Sequence, residues 1–561
     1  MSTDSLARRY ANTRENEWLE GLLLSLLFLW TPFVNFLITN SFRVTHLPVL
    51  MCFGGMVVLA FLISMLRIIQ VRVWYVFIIT GLTTLFIDIT LHTIANFGNY
   101  LLVAVFLGAF GCFLKWRKIC HLIAVTVVTA VLVGTVVQGI LKPNGPEFHA
   151  PEKSIHTTDP TLPRMIHLIL DEHIGVEGIP AGIDAGRELR GRILQFYNKY
   201  NFTLYGNAFS HYFFTKDSIP NALNFSAEAD GASFAEGDRG PYKLTTNAYF
   251  NVLFQKHYRL YVLGSGWIDY CTDKSFVLET CSNYGGLTLG SALPSLNFTV
   301  SDQVMIILGK YLSQSSLYQG IRKHYQSVWS HLASQGVSLP RWNWDDTTTY
   351  PHAANTMAII PELWKRILTL SDGDFLFAHL LFPHFSYLYK DDCSTHRSVQ
   401  VFMNGNPALG GRVLEQGSEN TPQSREERYR LYFQQVQCLY VRLDELFQQM
   451  QTAGIFENSI IILHGDHGAR IGIHDPYIED LALLSREDYA DAFSTLFAVK
   501  FPNKPGGYNT SITPLEELLA ETVGEPSKSR AKFVPGGPEP FVYVMSRNRN
   551  TLTPVFYPAN R

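Results

Sequence analysis

The chain has 561 residues, a formal net charge of -3 and 47% hydrophobic residues. That length exceeds one ordinary domain and predicts two or three. A charge so near zero gives no case for nucleic acid or another polyanionic partner.

Apolar residues are concentrated at the N-terminus. Five apolar runs fall at about 17–39, 47–66, 73–92, 99–114 and 119–138, each close to the ~20 residues that cross a bilayer as a helix. Short linkers join them, which predicts a transmembrane bundle of about five helices over 17–140. Lys and Arg set its orientation. Arg8, Arg9 and Arg14 lie in the tail 1–16. Arg67 and Arg72 flank the second linker, and Lys115, Arg117 and Lys118 the fourth, while the first and third linkers hold only Arg43. The tail is therefore expected in the cytoplasm. An odd number of spans then carries the rest of the chain to the outer (periplasmic) side of a plasma (inner) membrane.

Residues 141–163 are rich in proline and polar residues and read as a linker. From 164 onwards short apolar runs alternate with longer mixed segments: MIHLIL at 165–170, RLYVLG at 259–264, DFLFAHLLF at 374–382 and SIIILHG at 459–465. Such runs suit strands covered on both faces, as in a mostly parallel sheet flanked by helices. The expectation is an α/β domain over 164–545 and a C-terminal tail, 546–561. Cys271, Cys281, Cys393 and Cys438 permit two disulfides in an oxidising compartment. Cys271–Cys281 is the expected pair, and four buried thiols are the alternative. Asn201, Asn224, Asn297 and Asn509 begin Asn-x-Ser/Thr sequons, which matter only if the host glycosylates outward-facing proteins.

Four stretches carry candidate chemistry. Asp171 and Glu172 directly follow MIHLIL; adjacent carboxylates at a strand end suit a divalent cation, although such a pair is also an ordinary acidic turn. In HYFFTKDSIPNALN, Thr215 precedes a predicted helix, where a hydroxyl can cap the helix or serve as a nucleophile at its positive end. Ser218, two residues before Pro220, is the preferred cap. His384 follows DFLFAHLLF and a proline, whereas His379, inside that run, reads as a core histidine. Asp466 and His467 follow SIIILHG and offer an oxygen and an imidazole nitrogen, a set suited to zinc or manganese. Gly465 and Gly468 bracket them, and the expectation is that these let the backbone turn sharply. His464 would face away and play a supporting role. Arg470 can pair with an anionic substrate or with a carboxylate, and His474 follows in GIHDP.

An acidic strand end, a hydroxyl, a strand-end histidine and Asp-His-Gly, in that order, resemble the alkaline phosphatase superfamily in its sulfatase-like branch. Five spans before such a domain look like the lipid A phosphoethanolamine transferases and, more loosely, the lipoteichoic acid synthases and other phosphoglycerol transferases. The resemblance implies an alkaline-phosphatase-like α/β fold. It implies Asp171, Glu172, Asp466 and His467 as ligands of a divalent metal, zinc or manganese, with calcium not excluded. Thr215, five residues before Pro220, matches the nucleophile of Thr-x-x-Ser-x-Pro. His384 and His474 would meet the phosphate and its protons, with Lys216 and Arg470 binding substrate. The implied activity is transfer of a phosphoethanolamine- or phosphoglycerol-type head group from a membrane phospholipid to a glycan or lipid acceptor through a phosphothreonine. A phosphate- or sulfate-ester hydrolase and an inactive binding module are the alternatives. The sequence departs from sulfatases where Ser218-Ile-Pro-Asn-Ala222 lacks the arginine of Cys/Ser-x-Pro-x-Arg. It departs from the phosphoethanolamine transferases where Phe213 and Asn221 stand near the threonine motif instead of its flanking cysteines.

Overall fold

A computed structural model describes residues 3–68, 72–90, 99–141, 159, 161–228, 233–237, 241–285, 289–334, 352–396, 421–527, 540–548 and 551–558. Of the expected linker, 142–158 and 160 lie outside the described residues. In chain order the first elements are α1 (Thr3–Thr39), α2 (Leu47–Ile68), α3 (Arg72–Thr90), α4 (Asn99–Lys115), α5 (Arg117–Leu141), β1 (Met165–Leu170), α6 (Asp184–Lys199), β2 (Thr203–Phe209) and α7 (Thr215–Leu223). There follow β3 (Ala235–Glu236), β4 (Tyr242–Leu244), α8 (Ala248–Gln255), β5 (Arg259–Gly264), β6 (Ile268–Asp269), β7 (Leu278–Asn283), α9 (Leu289–Ala292), α10 (Val300–Leu312), α11 (Ser316–Ser334) and α12 (His352–Leu368). The chain closes with β8 (Asp374–Leu380), α13 (Pro422–Thr452), β9 (Ile460–His464), α14 (Arg486–Phe493), β10 (Phe497–Lys500), β11 (Gly507–Pro514), α15 (Leu515–Val523), β12 (Phe541–Met545) and β13 (Leu552–Phe556).

Two compact units result. The first comprises Met1–Asn144, Thr288–Pro294 and Phe298–Thr348. Three of its helices contain stretches of membrane-crossing length and hydropathy: Trp18–Thr39, Leu47–Leu66 and Lys118–Val137. The apolar segments Val73–Ile89 and Ala104–Lys115 are shorter, so the described residues hold three to five apolar helices of this kind where five spans were expected. Val58, Leu62, Leu122 and Ile123 stay exposed on these helices, as expected for surface solvated by lipid tails. The first helix begins at Thr3 and so includes most of the tail expected over 1–16. The unit also takes in α10 and α11, against the expectation of one continuous domain over 164–545. Tyr311 of α10 sets its ring edge-on to Phe33 at 5.3 Å and Phe36 at 5.7 Å. Ser315, just before α11, donates to Asp88 of α3 at 2.7 Å. Aromatic packing and a buried hydrogen bond thus bind this segment to helices more than two hundred residues earlier in the chain.

The second unit comprises Gly145–Leu287, Ser295–Asn297 and Thr349–Arg561. Its eight-stranded sheet has the order β11-β2-β10-β9-β1-β8-β5-β7. Only β10 runs against its neighbours; the other pairings are parallel. Every residue of β1, β8 and β10 is buried, which is why β1 and β8 read as largely apolar runs. The three central strands β9, β1 and β8 run parallel, so their carboxyl ends open on one edge, where sites form in such sheets. The 31-residue α13 is capped by Thr421, with Pro422 in its first turn. Its buried face includes Tyr432, Val436, Leu439, Leu443 and Leu446. The expected tail 546–561 is partly a strand: β13 pairs antiparallel with β12, and Pro554 is tolerated because the pair has only two strands.

Candidate metal centre

Each central strand delivers a group to the same edge. Asp171 follows β1, and its N–H donates to the carbonyl of Leu380 at the end of β8 (3.0 Å). The Glu172 N–H donates to Asp466 Oδ1 beyond β9 (3.0 Å). Asp171, Asp466 and His467 offer ligand atoms all within 4.8 Å of one another, and so do Asp171, Glu172 and His384. Two groups sharing Asp171 therefore stand where one set of four was expected. All five residues are buried.

Charge decides what this arrangement can hold. Three buried carboxylates face one guanidinium, Arg470, which pairs with Glu172 Oε1. Three carboxylates gathered in a site removed from water make a setting that favours a bound cation. The donors are carboxylate oxygens and imidazole nitrogens, a set that suits a divalent cation. His467 Nδ1 is engaged by the Gly468 carbonyl at 2.9 Å, leaving Nε2 to face Asp466 Oδ2 at 3.1 Å. His384 repeats this, with Nδ1 on the Phe385 carbonyl and Nε2 3.5 Å from Glu172 Oε1. Burial and Arg470 favour a neutral His467, outweighing the Asp466 carboxylate. For Asp466 burial pulls the other way, and His467 and His379 hold its carboxyl below the usual range.

A further layer fixes these groups. His379 Nε2 lies 3.1 Å from Asp171 Oδ2, and its Nδ1 accepts from the hydroxyls of Tyr270 and Ser265, each at 3.0 Å. Burial pushes its pKa down to about 4, so the neutral ring donates to Asp171. His379 is the buried core histidine that the run DFLFAHLLF predicts, and its ring also orients a carboxylate. Tyr432 of α13 donates to the Glu172 carbonyl at 2.7 Å. Gln435, one turn on, donates to the His384 carbonyl at 2.9 Å and accepts from Leu388 N–H at 2.8 Å. Nothing local in the sequence signals Tyr432 or Gln435, whose spacing is ordinary helix core. His464 belongs to the sheet interior, its ring 4.8 Å from that of His167.

Thr215 opens α7, and its Oγ1 lies 3.3 Å from His467 Nε2. Ser218, expected to cap this helix, sits inside it. The hydroxyl of Ser218 instead donates to the Asp466 carbonyl at 2.5 Å and meets Ser210 Oγ at 2.9 Å. The helix thus ties the threonine loop to the Asp-His loop. Neither Gly465 nor Gly468 has a positive φ, so the expected sharp-turn role gives way to packing. A Cβ on Gly465 would lie 2.5 Å from the His173 carbonyl oxygen, and one on Gly468 would overlap the Asp491 carbonyl. Lys216 and Arg470 line a cavity beside Thr215. His474 is in neither ligand group; its N–H donates to Asp488 at 3.3 Å. Cys271–Cys281 and Cys393–Cys438 are disulfides. Of the sequon asparagines, Asn224 is buried and its side chain donates to the Pro220 and Thr246 carbonyls.

No protein-family model matches the chain. Lipoteichoic acid synthase 1 of Bacillus subtilis (strain 168) is 29% identical over 80 residues, which is 14% of this chain and only 12% of that protein. Among solved structures, the C-terminal periplasmic domain of EcEptC from Escherichia coli is 12% identical and covers 72% of this chain and 96% of its own, with a TM-score of 0.39. The lipoteichoic acid synthase LtaP from Listeria monocytogenes is 10% identical over 74% of this chain and 90% of its own, with a TM-score of 0.34. The phosphonate monoester hydrolase of Agrobacterium radiobacter is 12% identical over 68% and 80%, with a TM-score of 0.37. These likenesses stand beside the motif resemblance to the sulfatase-like branch of the alkaline phosphatase superfamily.

Proposed function

We propose that this chain is a membrane-anchored, metal-dependent phosphotransferase whose nucleophile is Thr215. The observation that carries the reading is the Thr215 hydroxyl 3.3 Å from His467, at the edge of a buried cluster of carboxylates and histidines whose ligand atoms lie within reach of one cation. Asp171, Asp466 and His467, with Glu172 beside them, would hold a divalent cation. When bound, such a cation lowers the pKa of a hydroxyl and neutralises phosphate charge.

The residues divide the work. Thr215 Oγ1 forms the new bond to phosphorus as the bond from phosphorus to the diacylglycerol oxygen breaks, and the hydroxyl proton ends on that oxygen. The first helical turn offers free N–H groups to the phosphate oxygens. His384 stands beside Glu172 to meet phosphate oxygens and exchange protons when an acceptor hydroxyl resolves the phosphothreonine. Arg470, paired to Glu172, holds that carboxylate in place rather than binding substrate. His474 has no part in this reading. The donor is a membrane phospholipid and the acceptor a glycan or lipid. The Lys and Arg bias of the linkers and the two disulfides support an extracytoplasmic site.

Thr215→Ala should abolish turnover while leaving bound metal unchanged by elemental analysis. Surviving activity would remove Thr215 from the mechanism. Product formed without any acceptor would make the protein a hydrolase on the same site.

A further inference from the structure

Of the chain between β7 and β8, the helices α9, α10 and α11 belong to the first unit. Their contacts fix where along the helices of that unit they sit. Gly290 N–H donates to the carbonyl of Asn40, the residue after α1, at 2.9 Å. Tyr311 meets Phe33 and Phe36 in the last two turns of α1. Ser315 donates to Asp88, two residues before α3 ends at Thr90. All three anchors therefore lie at the end where the apolar stretches Trp18–Thr39 and Val73–Ile89 stop. The Lys and Arg bias of the linkers assigns that end to the outer side. α11 starts at Ser316, directly after the Asp88 anchor, and packs on both α3 and α4.

The sequence of α11 is amphipathic. Tyr318, Ile321, Tyr325, Val328 and Leu332 recur every three or four residues and make one apolar stripe. In a water-soluble unit such a stripe is buried against a partner. Here Ile321 is 55% exposed and Val328 41%. Gln319 and Ser327, which fall off the stripe, are exposed as well. The 19-residue helix contains Arg322 and Lys323 and no Asp or Glu. At the start of α2, Leu50 and Met51 also stay exposed, so apolar surface continues from the spanning helices to this end of the unit.

Charge separates the candidate occupants of the stripe. A second copy packed stripe to stripe would bring two basic helices together, with no acidic residue on either to offset them. A lipid surface meets both needs at once. Acyl chains cover Ile321 and Val328, tyrosine rings suit the boundary between chains and head groups, and anionic head groups balance the basic surplus.

We propose that α11 lies in the outer head-group layer of the membrane, with Ile321 and Val328 turned to the acyl chains, and that it docks there on anionic phospholipid. The chain enters this segment from β7 and returns through α12 to β8. The sheet-bearing unit would thus be tied to the membrane surface a second time, in addition to the linker after α5. This inference rests on the membrane-anchored part of the reading above and not on the phosphotransfer step.

The test uses the full chain in phosphatidylcholine vesicles that contain phosphatidylglycerol. One of the two lipids carries a photoreactive diazirine on an acyl carbon near the glycerol, and adducts are mapped by peptide mass spectrometry. Ile321 and Val328 should be labelled along with Leu50 and Met51 of α2, and Gln319 should not. The ratio of α11 to α2 adducts should be several-fold higher from the phosphatidylglycerol probe than from the phosphatidylcholine probe. Ile321→Glu combined with Val328→Glu should cut the α11 adducts at least about tenfold, with α2 labelling and melting temperature unchanged. Labelled α2 beside unlabelled α11 overturns the proposal. So does a crosslinked dimer that the double variant abolishes, which would make a second copy the occupant. Equal ratios from the two probes overturn the preference for anionic lipid. Absence of label on α2 as well overturns the membrane-anchored reading itself.

Discussion

Glu172 and Arg470 form their buried pair from two unusual backbones, with φ of 62° and 54°. A left-handed residue with a Cβ costs on the order of 1–3 kcal/mol, so the surrounding contacts must hold both. The Glu172 carbonyl accepts from Tyr432, its N–H donates to Asp466, and Oε2 accepts from Phe385 N–H at 3.2 Å. His379 plays the same part for Asp171. His379→Ala should lower metal affinity by about 10–100-fold in a competition titration with a chromogenic chelator; unchanged affinity would reduce the ring to a space filler. Asp491 adds a pH dependence. Burial raises its carboxyl to about 7, against the opposing pull of Arg425 and the Tyr429 hydroxyl. A folded pKa above the unfolded one means the folded state holds the extra proton. The contribution is complete below about pH 4 and is lost as pH rises through about 7. The gap in melting temperature between wild type and Asp491→Asn should therefore change across that window, by the equivalent of a few kcal/mol. A constant gap would place the Asp491 titration elsewhere.

At the scale of elements, the site is an assembly of loops pinned from outside. The Asp-His loop is packed by α14, whose Asp491 carbonyl accepts from the Arg470 N–H at 3.0 Å. Asp488 of the same helix accepts from Ile473 N–H at 2.7 Å. From the side, Ser218 of α7 holds the Asp466 carbonyl. Gly468 itself packs on that helix, and a Cβ there would overlap the Asp491 carbonyl. Gly468→Ala should cost more than about 2 kcal/mol through displaced backbone, read as a fall in melting temperature with loss of bound metal. A fully stable, metal-replete Gly468→Ala protein would mean the contact is loose.

For the whole molecule, binding that is confined to the folded state must raise its stability. A chelator should lower the melting temperature of the second unit, and added zinc or manganese should restore it. At a hundredfold excess over Kd the gain is about 2.7 kcal/mol. No shift with either metal would count against a cation in this cluster. The experiment calls for the full chain. α10 and α11 pack on α2, α3 and α4, so a protein cut at residue 150 would strand two helices without their partners.

Much of this was readable along the chain because it is local. Unbroken apolar runs announce β1, β8 and β9, since both faces of a parallel strand are covered. A carboxylate or histidine set directly after such a run lies at the carboxyl end of the strand, so Asp171, Glu172, Asp466 and His467 could be named before any contact was known. The apolar helices of the first unit follow from length and hydropathy, although the two shorter ones leave their number open. Folding in three dimensions settled the rest. His379 and Ser218 acquired their partners, Asp171 and Asp466, from positions more than two hundred residues away. The two ligand groups met at Asp171 because β9, β1 and β8 are neighbours, an order no local pattern encodes. Residues 298–334 joined the N-terminal helices through Tyr311 and Ser315 for the same reason. Local sequence records which surfaces a segment must bury, whereas the choice of partner depends on which distant surfaces come to share that burial.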